Sequence, residues 1–291
     1  MTKRSKQNIF ALITIFLWAS AFPLTKIAME HYTPNALGFI RCTIAAIFLC
    51  ILCRVHHIKL PPKKDIPWFF LSGGLGFTLY MIAFNFGMQT LTSATSSIII
   101  ATTPILTAVA ASKLYGEKIS KIGWGAIVMA FVGVIVLMLW DGIFSINIGL
   151  IWILFAAIIF CSYNLLIRRF VLKGYSSLQI VTYSMTCGAV LLAIFSPQGV
   201  NQIMTAGVKQ ILVVMYLAIL ASAMAYLFWN KAMAMADKTS DVTNYIFAVP
   251  LLSTVMGFIF LKEIPNYGVL IGGTMIIISL IIFNSKGQEK E

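Results

Sequence analysis

The chain has 291 residues, 60% of them hydrophobic and only 10% charged, where a soluble domain carries about 25% charged residues. With a mean hydropathy of +0.93, there is more apolar surface than a soluble fold of this size can hide, so the solvent is lipid. The net charge of +12 then reads as basic loops on one side of a membrane, not as a nucleic-acid surface.

The chain opens with Lys3, Arg4 and Lys6, followed by IFALITIFLWASAFPLTK from Ile9 to Lys26. A positive start, an apolar run and the small-residue step Ala19-Ser20-Ala21 are also the marks of a secretory signal peptide. The rest of the chain decides between signal peptide and retained span. A membrane crossing takes about 20 apolar residues, and ten stretches qualify: 8–27, 35–53, 68–90, 93–114, 121–140, 147–167, 177–196, 210–235, 240–261 and 266–284. Between the third and fourth only Thr90 to Ser93 intervenes, so those two form a helical hairpin.

With the N-terminus in the cytoplasm, seventeen Lys and Arg residues fall on the cytoplasmic side. Only Lys26, Lys209 and Lys262 fall on the other, and Arg41 lies within a span. A miscount of one helix in the middle would scramble this bias, so the positive-inside rule supports ten spans with both termini inside.

Residues 80–117 align without a gap on 226–263 at an offset of 146. Tyr80 meets Tyr226, Ile100 meets Ile246, Pro104 meets Pro250, and Glu117 meets Glu263. A weaker match sets Trp18 and Lys26 against Cys161 and Arg169. Five helices per half is an odd number, so the second half inserts upside down relative to the first. The predicted fold is an all-α membrane protein of ten transmembrane helices in a 5+5 inverted-topology repeat, residues 1–140 and 141–291, with a binding site near the midplane. The first stretch has a repeat partner at 147–169 and is therefore read as a retained span.

Several motifs carry a family resemblance: Trp18 to Phe22 (WASAF), Arg41 early in the second span, and Ser93 to Ala108 (SATSSIIIATTPILTA) followed by Tyr115 to Lys118 (YGEK). The repeat partner of the last ends in Phe260 to Glu263 (FLKE). These resemble the EamA family of the drug/metabolite transporter superfamily across essentially the whole chain. The resemblance implies spans one to four and six to nine around a central cavity, with spans five and ten outside it. It also implies transport of amino acids, other small metabolites or drugs, often outward, across a bacterial inner membrane.

The residues themselves point to a site. Intramembrane polar groups are costly and usually face the bundle interior. Trp18, Tyr80, Tyr163, Tyr226, Asn230 and Asn244 are therefore candidate substrate-binding residues, set against interhelical hydrogen bonding as the plainer role. Tyr226 and Asn230, four apart, share a face, whereas Tyr80 and Asn85, five apart, do not. Pro104 and Pro250 each remove a backbone donor mid-span and are candidate gating kinks. Arg41, the one charge well inside a span, meets a substrate carboxylate or, in the preferred structural reading, snorkels and caps backbone carbonyls. Gly268-x3-Gly272 serves helix packing within the monomer or a homodimer contact.

All nine carboxylates fall at span ends, in loops or in the tail. A desolvated organic cation would thus lack an anionic partner, and the expected substrate is neutral or zwitterionic, with no carboxylate-based proton relay. Cys50-x2-Cys53-x2-His56-His57 is a weak zinc-like spacing where a span meets a basic loop, and no metal or cofactor is expected. The function read from the sequence is a secondary transporter, an exporter of amino acids or related solutes. An uptake permease is the alternative, and an intramembrane enzyme using Asp237 and Asp241 a remoter one.

Overall fold

The computed structural model describes residues 2–115, 119–140, 147–236, 242 and 244–286; Glu117, Asp237 and Asp241 lie outside them. Among the described residues the regular structure is helical. We label the helical segments α1 (Lys3–Ala28), α2 (Pro34–Val55), α3 (Lys63–Met88), α4 (Ser93–Ile100 and, after a break, Thr103–Tyr115), α5 (Lys121–Leu139) and α6 (Ile148–Leu172). They continue with α7 (Ser177–Met204), α8 (Val208–Met235), α9 (Val249–Leu261, after a 3-10 turn Asn244–Ala248) and α10 (Tyr267–Lys286). Seven stretches, in α1 to α4 and α6 to α8, are long and apolar enough to cross a membrane. Apolar stretches of α5, α9 and α10 are shorter.

Helix starts follow capping chemistry. Thr92 Oγ1 accepts from the Thr95 N–H at 3.1 Å, and Ser120 Oγ from the Gly123 N–H at 3.0 Å. Ser176 and Gln179 form a reciprocal capping box at the start of α7. Pro34 sits in the first turn of α2, where its missing donor costs nothing.

Pro104 and Pro250 occupy the same kind of position. Each falls in the first turn of a helix that restarts after a break, Thr103–Tyr115 and Val249–Leu261. The two prolines thus begin new helical segments instead of kinking continuous ones. The carbonyl four residues before Pro104, that of Ile100, accepts from Thr103 Oγ1 at 2.6 Å. A threonine hydroxyl thereby replaces the amide that proline lacks.

The sequence pattern did not reveal two π-helical segments, Gly74–Leu79 in α3 and Leu217–Met224 in α8. Each inserts just before a tyrosine of the candidate set, Tyr80 and Tyr226. A π-turn shifts the register of the residues after it, and such turns cluster at functional sites.

The outer flanks of the bundle are apolar: Phe16, Val128, Phe131, Phe258 and Phe260 are each more than half exposed. Such faces suit hydrocarbon and not water. Polar side chains turn inward, where hydroxyls such as Thr78 Oγ1 bond across to the Gly188 carbonyl at 3.1 Å.

Close backbone approach brings the helices together. A Cβ added at Gly73 would stand 2.5 Å from the Ser184 carbonyl oxygen and 2.6 Å from the Gly188 nitrogen, so α3 and α7 meet backbone to backbone. Gly73→Ala is expected to cost about 1–3 kcal/mol by overpacking, read as a lowered thermal midpoint in detergent. Gly125→Ala, where nothing lies within 4 Å, is expected to raise the midpoint slightly, alanine being the better helix former. Gly268-x3-Gly272 is used within the chain. A Cβ at Gly268 would meet Trp140 Cβ at 2.4 Å, and a Cβ at Gly133 would meet the Gly272 carbonyl at 2.8 Å. This motif therefore seats α10 on α5.

Candidate functional site

The bundle centre is aromatic because α1, α3, α6 and α8 each turn rings inward. Trp18 on α1 stands 5.3 Å from Tyr226, 4.9 Å from Trp229 and 5.5 Å from Phe160, measured between ring centroids. Tyr80 lies 5.4 Å from Phe160 and 5.6 Å from Phe84, and Phe84 lies 5.2 Å from Phe22. Offset and edge contacts at such distances are favourable beyond the area they bury.

Beside these rings lies a cavity with an empty volume of about 520 Å³, its open mouth included. Its wall draws on α1, α2, α3, α4, α6, α8, α9 and the turn before α9. No described wall residue comes from α5, α7 or α10.

Three of the six candidate binding residues, Trp18, Tyr80 and Tyr226, line this cavity. Tyr80 follows directly on its π segment, and Tyr226 follows its own after one intervening residue. Tyr163 is fully buried one layer back, 5.3 Å from Phe77 and 5.9 Å from Tyr226. Asn230 is also fully buried, and its Nδ2 donates to the Tyr226 carbonyl of its own helix at 2.8 Å. Tyr226 and Asn230, four apart in regular helix, share a face as expected, but only Tyr226 reaches the cavity wall. Asn244 opens the 3-10 turn before α9, and its side chain lies outside the described part of the structure. Asn85, five residues from Tyr80, turns away from the cavity and donates from Nδ2 to the Pro34 carbonyl at 2.9 Å.

Arg41 does not snorkel to an end of the bundle. It is 3% exposed and lines the cavity. Nη1 donates to Thr25 Oγ1 and Nη2 to Ser222 Oγ, each at 3.2 Å, and not to backbone carbonyls. Among the described residues the ion pairs are Lys26–Glu263, Lys173–Asp65 and Lys209–Glu30; none includes Arg41.

Residue-type reasoning passed over much of the apolar wall: Phe22, Phe84, Phe160, Ile246 and Val249. A signal existed for two of them, since Phe22 and Phe84 fall four residues after Trp18 and Tyr80, the spacing that shares a helix face. Phe160 carried none.

One end of the bundle is tied by Lys26, Glu263 and the start of α4. Lys26 Nζ donates to Glu263 Oε1 at 2.6 Å and to the Leu91 carbonyl at 3.1 Å, while Glu263 Oε2 accepts from the Ser93 N–H at 2.8 Å. At the other end, Asp65 accepts from Lys173 Nζ at 2.7 Å and from the Tyr175 hydroxyl at 2.5 Å. Desolvation, and then the Asp65 carboxylate, push the Tyr175 phenol up to about 12. The Arg169 guanidinium lies 3.5 Å over the Trp68 ring, a cation–π contact. Cys53 Sγ donates to Thr182 Oγ1 at 3.3 Å and Cys50 Sγ lies 3.6 Å from Thr186 Oγ1. The zinc-like cysteines thus face α7.

The EamA-like transporter family model matches twice, over residues 5–139 and 147–285. The "Uncharacterized transporter YdfC" of Bacillus subtilis is 29% identical over 95% of this chain and 90% of its own length. The "Probable terminal-alkyne amino-acid exporter" of Streptantibioticus cattleyicolor is 27% identical over 99% of this chain and 97% of its own. The fold is shared by a protein of known crystal structure at a TM-score of 0.67, with 18% identity over 96% of this chain and 97% of that one.

Proposed function

Because this chain belongs to the EamA-like transporter family, with family matches covering both halves, we propose that it is a secondary transporter built as a 5+5 inverted repeat of ten spans. It is read as an exporter of amino acids or related neutral or zwitterionic solutes across the bacterial inner membrane, with both termini in the cytoplasm. The chain is a multi-pass membrane protein, and its named relatives are transporters. The finer reading draws support from several directions. The family model fits each half, both halves carry a π segment ahead of a cavity tyrosine, and a ten-span arrangement would put seventeen basic residues on one side against three on the other. One full-length relative is named as an amino-acid exporter.

The observation that carries the reading is the cavity. Its described wall is aromatic and apolar, with Arg41 as its one charged residue. Such a chamber suits a small amphiphilic metabolite better than a metal ion, a sugar or a polycation. Rocking of one repeat against the other then exposes it to each side in turn. The broken helices at Pro104 and Pro250 are the proposed flexing points.

Proteoliposomes loaded with a mixture of amino acids and amines test this by mass spectrometry of the released solutes, with and without a pH gradient. Selective release of amino acids without need of a gradient is expected. Exchange of quaternary amines for protons would overturn it, since no acidic side chain is in the described wall. Outward direction is read in cells, where expression lowers the internal pool of the same solute.

A further inference from the structure

We propose that the cavity is a carboxylate site that does not read the amine, so its ligands are small apolar monocarboxylates in general and amino acids are one subset. This rests on the reading above that this cavity is the transport site.

Arg41 has five N–H donors, and two are used, on the neutral hydroxyls of Thr25 and Ser222. Its Nε is buried without an acceptor. Three donors including Nε are thus left, and the planar edge formed by Nε and a neighbouring Nη fits a carboxylate with two parallel hydrogen bonds. A buried guanidinium held only by hydroxyls has lost its hydration without gaining a counter-ion. Intramembrane charges of this kind mark ligand sites by default.

Charge balance selects the ligand. A monocarboxylate makes the loaded cavity neutral. A dianion such as a phosphate monoester would leave one negative charge against an apolar wall, with no second cation in it. A zwitterion would leave one positive charge, and the wall contributes no described carboxylate to meet it. What remains for an ammonium is the faces of Trp18, Tyr80, Phe160 and Tyr226, a cation–π attraction weaker than the water it displaces. The rest of the wall, Phe22, Phe84, Ile246 and Val249 among it, receives an apolar body. Removing the amine from a substrate therefore costs no affinity, and removing the carboxylate costs most of it.

The test uses the full chain in nanodiscs and four probes of one skeleton: 3-phenylpropanoate, N-acetylphenylalanine, phenylalanine and phenylethylamine. Affinities are read from tryptophan fluorescence and checked by thermal shift. The expected order places 3-phenylpropanoate at or below the Kd of phenylalanine, and phenylethylamine at least about tenfold weaker. Arg41→Gln is expected to weaken the acids by about 30-fold or more, the low end for truncating one partner of a buried charge pair. Arg41→Lys, which keeps the charge without the fork, is expected to recover only part of the loss. The order of the wild-type probes decides the matter even if the variants fold poorly.

Phenylethylamine binding as tightly as the acid would overturn the proposal. So would phenylalanine binding where the deaminated acid does not. In both cases, continued cavity-dependent efflux would leave the transporter reading intact. Efflux of solutes that carry no carboxylate, with none of the four probes bound, would also overturn it. Absence of any cavity-dependent transport would instead count against the transporter reading itself.

Discussion

Trp18→Ala in proteoliposomes is expected to reduce solute efflux at least about tenfold, the equivalent of about 1.4 kcal/mol in the transport barrier. Trp18 carries ring contacts from α1 to both α6 and α8, at Phe160, Tyr226 and Trp229, and it also faces the cavity. Its removal deletes a wall and frees three rings to collapse into the space. Some loss of stability accompanies this, below the about 3–5 kcal/mol of a fully buried Trp→Ala change, because Trp18 is only partly buried. Two comparisons separate transport from folding. Trp18→Phe keeps a ring at the site and is expected to retain part of the efflux. Trp124→Ala, on α5 with a side chain half exposed on the outer flank, is expected to leave efflux unchanged. Equal losses in Trp18→Ala and Trp124→Ala would remove Trp18 from the path.

How far the site was legible in the sequence follows from how each residue is aimed. Every apolar stretch read from the sequence holds helix in the described residues, two of them interrupted, before Thr103 and before Val249, because length and hydropathy are enough to write a helix in lipid. Which side chain faces the centre is a matter of helix rotation, and there the sequence pattern carries less. Tyr80, Tyr163 and Tyr226 have one chemistry, yet only Tyr80 and Tyr226 reach the cavity. Tyr80 and Tyr226 follow closely on π segments, whereas Tyr163 sits in the regular α6, one turn from the cavity residue Phe160. Gly74, Gly76 and a run of small or apolar residues mark the first of these segments, but nothing in the sequence pattern distinguishes such a run from ordinary helix. Arg41 was misjudged for a related reason. Its position eight residues into α2 is compatible with snorkelling, and only the packing of Thr25 and Ser222 around it turns it inward. Tertiary contacts, not local spacing, decide both cases.

The second large effect is expected at the Lys26–Glu263 contact, measured as a double-mutant cycle on thermal stability in detergent. Glu263 closes three connections with one carboxylate. It takes Lys26 of α1 on one oxygen and the Ser93 N–H at the start of α4 on the other, and it stands at the end of α9. The fit is close, since a Cβ at Gly257 would lie 2.8 Å from Glu263 Oε2. The side chains of Lys26 and Glu263 are 27% and 13% exposed, so water and salt screen the pair only in part. Glu263→Ala leaves both the ammonium and a helix-start N–H without that acceptor, and is expected to cost about 1–3 kcal/mol. Lys26→Ala is expected to cost less, because Glu263 keeps its bond to the Ser93 N–H. The coupling between the two substitutions is expected at about 1 kcal/mol, inside the range for residues in direct contact. If the two losses simply add, the contact is not a tie. If they couple, α1, α4 and α9 are held at this end by one acidic residue, and transport in Glu263→Ala should change along with stability, since the same three helices line the cavity.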